Sequence, residues 1–240
     1  MRKSRYNIVH ALAATALLLY VVLHFGFAAF WRVFLHGLDI PMTPQVVLQN
    51  FRDTALLFGT LWLVLWASTL FSKLPSDRRD GAPAPERLKA VGLAARWSPV
   101  LIGVAIGLNL LCAACIEWIT GVQPSDQELV KCLSGDACST SVRIMLAMLV
   151  LFEAPLVEEP LFRGVMFRGF ASSLPTWAAM ALSGFLFALV HVNAASFIPL
   201  WFLGVAFAEL YRRTGTILAP MTAHALFNAA NLALLPFIQA

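Results

Sequence analysis

The chain has 240 residues, of which 60% are hydrophobic and 12% charged, with a formal net charge of +4. Soluble domains run at about 45–50% apolar and about 25% charged, and half the usual charge cannot coat a water-facing surface of this size. These figures exclude a soluble globular domain, a disordered tail and a nucleic-acid module, and they make the net charge a matter of membrane orientation.

Apolar runs recur at 7–31, 54–72, 99–120, 144–172, 176–193, 197–211 and 216–238. A spanning helix needs roughly 17–25 such residues. The expected fold is therefore an all-α, polytopic transmembrane helical bundle of about seven spanning helices, the sixth being short. The first run follows Arg2, Lys3 and Arg5 and extends far past a signal-peptide core, so it reads as a retained helix. The stretch 73–97 carries Pro75, Pro83 and Pro85 among mixed charges and reads as a cytoplasmic loop or a surface-lying segment. It divides an N-terminal transmembrane hairpin plus loop (1–98) from a five-helix part (99–240).

With the N-terminus inside, all 17 Lys and Arg except Arg32, Arg52, Lys131 and Arg143 fall on the inner side or in inner helix ends. The expectation is a multi-pass protein of the cell membrane with its N-terminus cytoplasmic and its C-terminus outside. Cys132 and Cys138 then lie in a polar loop on an oxidising face, where they could pair. Cys112 and Cys115 sit inside an apolar run and read as small packing residues.

An ionisable side chain deep in a bilayer costs at least about 2.5–3.5 kcal/mol and is a functional-site hypothesis by default. Glu153, Glu158, Glu159, His191, His224 and Asn228 form such a group in the last hundred residues. Glu159 and Arg163 are four apart with the acid N-terminal, the favoured polarity for a helical ion pair. Glu158 points about 100° away with no local cation, which suits a general base. Pro155 and Pro160 flank the acids and each removes a helix hydrogen bond, a gap tolerated beside protein or a hydrated cavity. His191 lies one turn beyond Phe187, whose ring could wall an imidazole site. His224 and Asn228 are again one turn apart and present two polar groups to one partner, for which a developing oxyanion is suitable. Bland alternatives exist for each motif: a polar seam for the acids, a structural histidine, an interhelical hydrogen bond.

Glu158-Glu159-x-x-x-Arg163, Phe187-x-x-x-His191 and His224-x-x-x-Asn228, in that order on successive segments, resemble the CPBP family of intramembrane proteases. This is the group of CAAX prenyl protease type II and bacteriocin-processing (Abi) proteins. Phe162-Arg163-Gly164 and Tyr211-Arg212-Arg213-Thr214-Gly215-Thr216 also look like the family, and the similarity covers about residues 144–230. The resemblance implies an intramembrane endopeptidase, with its core in the C-terminal half, cutting near the C-terminus or membrane boundary of a protein or peptide substrate. It implies Glu158 as base, His191 helping to activate water, and His224 and Asn228 stabilising the oxyanion. Glu159 and Arg163 would support the helix. The expectation is no cofactor, although Glu158, His191 and His224 alone would permit a three-ligand zinc site. For these acids and histidines to share a level, the fourth helix must run past Arg168 to about residue 172, burying Arg163 beside Glu159. Two rival readings are a transporter with an intramembrane Glu/His proton relay and a catalytically silent membrane scaffold.

Overall fold

A computed structural model describes residues 84–124, 128–134, 138–191 and 193–238. These fold into six helices, α1 (Ala84–Thr120), α2 (Glu128–Ser134), α3 (Thr140–Ala171), α4 (Thr176–Leu189), α5 (Phe197–Thr214) and α6 (Leu218–Ile238), with no strand among the described residues. By length and composition α1, α3 and α6 can each cross a membrane, and α4 is a shorter apolar helix. The expected spans at 7–31 and 54–72 lie outside the described residues.

One sequence expectation is corrected. Residues 84–97, read as a loop or surface-lying segment, are the opening turns of α1, so the 98/99 boundary falls inside a helix. The prolines misled: Pro85 stands in the first turn, where a missing N–H costs nothing and φ is already helical. Beyond it the run Glu86–Arg96 consists mostly of good helix formers. Ala90 and Ala94 then face inward, buried in one cluster with Leu203, Phe207 and Leu210 of α5 and Ala219 and Ala223 of α6. Pro99 lies inside the helix, and one residue earlier the Ser98 hydroxyl donates to Ala94 O at 2.8 Å.

Helix α3 is continuous to Ala171, as the level argument required, but it is not uniformly α-helical. Leu149–Glu153 and Pro160–Phe167 have the wider π register. Proline explains the widening, because neither Pro155 nor Pro160 can donate to the carbonyl four residues back and the ring crowds that carbonyl. The second wide segment is riveted to α4 by Ser183 Oγ, which donates to Phe162 O at 2.8 Å.

A close glycine contact joins α4 to α5. A Cβ on Gly204 would lie 2.6 Å from Gly184 Cα, and one on Gly184 would lie 2.9 Å from Val205 N. Both obstacles are backbone, so the helices touch only because these two positions lack side chains. Trp201 Nε1 donates to Ala181 O at 2.9 Å along the same seam. Helix α5 ends at Gly215, left-handed at φ 67°, whose N–H returns to Tyr211 O at 2.7 Å. The short turn that follows lays α6 back against α5 and α1.

Cys132 and Cys138 are joined in a disulfide, buried with Val142 and Leu146 where α2 meets α3, while Cys112 and Cys115 are free.

Gly204→Ala is expected to force α4 and α5 apart at a cost of about 1–3 kcal/mol, the usual range for overpacking. Thermal unfolding in detergent would register this as a lower Tm; an unchanged Tm would mean the seam is loose.

Candidate active site

The electrostatic centre lies where α3 enters its second π segment. Arg163 and Glu159 are both fully buried, and Nη1 of the guanidinium donates to Glu159 Oε1 at 3.0 Å. Nη2 donates to Gly204 O at 3.2 Å, so the fork spans the gap between α3 and α5. The close glycine seam is what brings that carbonyl within reach. Around the cation stand three phenyl rings, with Cζ 4.6 Å from the centroid of Phe187, 5.3 Å from Phe207 and 5.7 Å from Phe162. In low dielectric such faces add cation–π attraction to the ion pair.

Glu159 Oε1 also meets His224 of α6, whose Nδ1 lies 2.9 Å away. A carboxylate already accepting from Arg163 accepts again here, so Nδ1 carries the proton and Nε2 is left for another partner. The buried imidazole stacks on Phe207 at 5.3 Å and 24°, and meets Phe187 edge-on at 5.8 Å and 81°. Its orientation is thus fixed by one carboxylate and two rings.

His191 sits against the same Phe187 ring, at 4.8 Å between centroids. Its Nδ1 is 2.7 Å from Phe187 O. A carbonyl can only accept, so here too Nδ1–H donates and Nε2 carries the lone pair. Phe187 therefore touches two imidazoles, and on each the nitrogen not committed to a hydrogen bond is Nε2. As an acceptor, Nε2 of His191 can orient a water. Nε2 of His224 donates only when that ring is an imidazolium, with Glu159 as its counter-charge.

Glu158, the residue before Glu159 on α3, is half-buried, and its shielded Oε2 makes no hydrogen bond. Among the described residues the other buried side-chain polar atoms without a hydrogen-bond partner are Glu153 Oε2, Glu159 Oε2 and Arg163 Nε, all on α3. Native interiors leave few such atoms, and their gathering on one stretch marks where polar chemistry is directed. Asn228 Nδ2 donates to Val150 O in the first π segment, at 2.7 Å. Among the described residues no group of three or more His, Cys, Asp or Glu is arranged to hold a metal ion.

The structure thus unites Glu159, Arg163, His224 and Phe187 directly and brings His191 in through Phe187. Three participants were not singled out in the sequence. Phe207 and the Gly204 carbonyl come from the segment read only as a short apolar span. Their spacing, Gly204-x-x-Phe207, already places both on one helical face. The Val150 carbonyl is backbone and leaves no signature in residue type.

Residues 140–230 match a family model described as Rce1-like, Type II CAAX prenyl endopeptidase Rce1-like. The match supports membership of the CPBP family and, with the apolar helices, a membrane protease of the CAAX prenyl endopeptidase type. No curated protein and no solved structure matches the chain.

Removing one partner of a buried ion pair costs about 3–5 kcal/mol. Arg163→Ala is expected to lose stability on that scale, and Arg163→Lys to recover it only in part, because a point charge cannot span Glu159 and Gly204 as a planar fork does. Denaturation in mixed micelles measures both; wild-type stability in Arg163→Ala would remove the pair from its structural role.

Proposed function

We propose that the protein is an intramembrane endopeptidase that hydrolyses a peptide bond near the C-terminus or membrane boundary of a protein or peptide substrate, by a glutamate-activated water and without a metal. The observation that carries this reading is the convergence on Phe187: His191 and His224 both contact this ring with Nε2 free on each, and His224 is bound to Glu159, the neighbour of Glu158.

In this mechanism a water held by His191 Nε2 gives a proton to Glu158 and attacks the scissile carbonyl carbon. The carbonyl π bond opens to an oxyanion, stabilised by the remaining Asn228 N–H and by His224 as imidazolium. Collapse re-forms the carbonyl and breaks the C–N bond, and the leaving amine takes the proton from Glu158. Glu159 and Arg163 touch no substrate and hold His224 and the helix in place. The chain is oriented with its N-terminus cytoplasmic and its C-terminus outside. This puts the Cys132–Cys138 disulfide on the oxidising face. A proton-relay transporter would need polar groups along a path through several helices. Among the described residues the buried unpartnered polar atoms lie on α3, which favours a site over a path.

The test is cleavage of membrane-anchored peptides ending in a prenylated cysteine motif, by purified protein in liposomes, with and without a chelator. Glu158→Ala and His191→Ala are expected to lower kcat by about 10²–10⁴-fold, the range for general acid–base groups. His224→Ala and Asn228→Ala should cost about 10²–10³-fold each, and the chelator should have no effect. Full activity in Glu158→Ala would reject the base, and inhibition by chelation reversed with zinc would reject the metal-free mechanism.

A further inference from the structure

The Asn228 contact has a cause in the backbone of α3. In a π register each amide N–H bonds to the carbonyl five residues back, and Ala154 N–H does so with Leu149 O. Ala154 is thereby taken from Val150 O, its partner in an ordinary α-helix. Continued by one residue, the π register would bring the N–H of residue 155 to Val150 O, and Pro155 has none. Val150 O is left without a helical donor, a costly state for a carbonyl away from water. Asn228 Nδ2 supplies the bond at 2.7 Å from α6, 78 residues later in the chain. Because a carbonyl only accepts, the contact also decides which end of the Asn228 amide is nitrogen. One N–H is committed to Val150 O and the other remains available.

We infer that Pro155 is a positioning residue for catalysis: by denying Val150 O its helical partner, it makes that carbonyl the anchor that holds the Asn228 amide nitrogen ready as an oxyanion donor. This rests on the assignment of Asn228 to the oxyanion in the proposed mechanism. Its two parts have different consequences when altered. Losing Asn228 removes the donor. Replacing Pro155 by alanine leaves the donor but offers Val150 O a competing backbone N–H, so the amide is no longer tethered.

The experiment is a double-mutant cycle in the liposome cleavage assay, with the prenylated-cysteine peptide as substrate and Tm measured alongside. Pro155→Ala is expected to lower kcat about 10-fold with KM unchanged, a loss of an interaction made in the transition state and not in substrate binding. Its Tm should hold or rise, since a proline leaves a helix interior. In an Asn228→Ala background the same change should leave kcat where Asn228→Ala alone puts it, because the residue through which Pro155 acts is gone. Pro155→Ser restores the same N–H on a different side chain and must repeat the pattern. Wild-type kcat in both position-155 variants overturns the inference. So does an equal fall in kcat in both backgrounds, and so does failure of both variants to accumulate as folded protein, which would make Pro155 a folding residue. Wild-type kcat in Asn228→Ala is a separate result, overturning the oxyanion assignment itself.

Discussion

The organisation of the C-terminal bundle depends on one buried ion pair. A guanidinium and a carboxylate, both without solvent exposure, are kept in an apolar interior by joining at 3.0 Å. Desolvation of either alone would be prohibitive, and their attraction in low dielectric repays it only with good geometry and further hydrogen bonds. Those bonds decide where other helices must lie. Nη2 requires a carbonyl, so α5 must present Gly204 O. Oε1 takes a second donor, so α6 must present His224. Three phenyl rings from α3, α4 and α5 close over the cation. One pair thereby specifies contacts among four helices.

The backbone complements this side-chain chemistry. Helices in an apolar medium gain little from burying apolar surface against one another, so they rely on close packing and polar links. Here the packing is Gly184 on Gly204. The polar links run from side chains to backbone carbonyls: Ser183 to Phe162, Trp201 to Ala181, Asn228 to Val150. Two of the three acceptors belong to the π-helical stretches of α3. A widened helix departs from the regular ladder of intrahelical bonds, and side chains from neighbouring helices complete it.

The ion pair and its burial were legible in the sequence because i,i+4 spacing fixes proximity without knowledge of the fold. The continuation of α3 to Ala171 followed from the need to bring His191 level with the acids. The contact of Phe187 with His191 came from the same one-turn arithmetic. Contacts between helices were less legible. The spacing of His224 and Asn228 puts them on one face of α6, but it does not reveal that Glu159 and the Val150 carbonyl of α3 meet them there. The start of α1 was misplaced for the opposite reason: a local signal, proline, was read without its position in the turn. Alanines at 90 and 94 packed against α5 and α6 override that signal, and no count of apolar residues in a window reveals them.

The locality of the Glu159–Arg163 pair also bears on biogenesis. The two charges are on one helix and four residues apart, so their neutralisation requires no other part of the chain. A nascent α3 can enter the bilayer with a guanidinium and a carboxylate charge already cancelled, before α5 and α6 have been synthesised. Were the carboxylate's partner on α6 instead, α3 would meet the lipid with an unpaired carboxylate until the chain as far as α6 had been made. Closing the ring early makes His224 a late arrival: it docks onto a carboxylate whose charge and position are already set. The order of synthesis and the order of pairing therefore agree, and the last of the described helices, α6, completes the site.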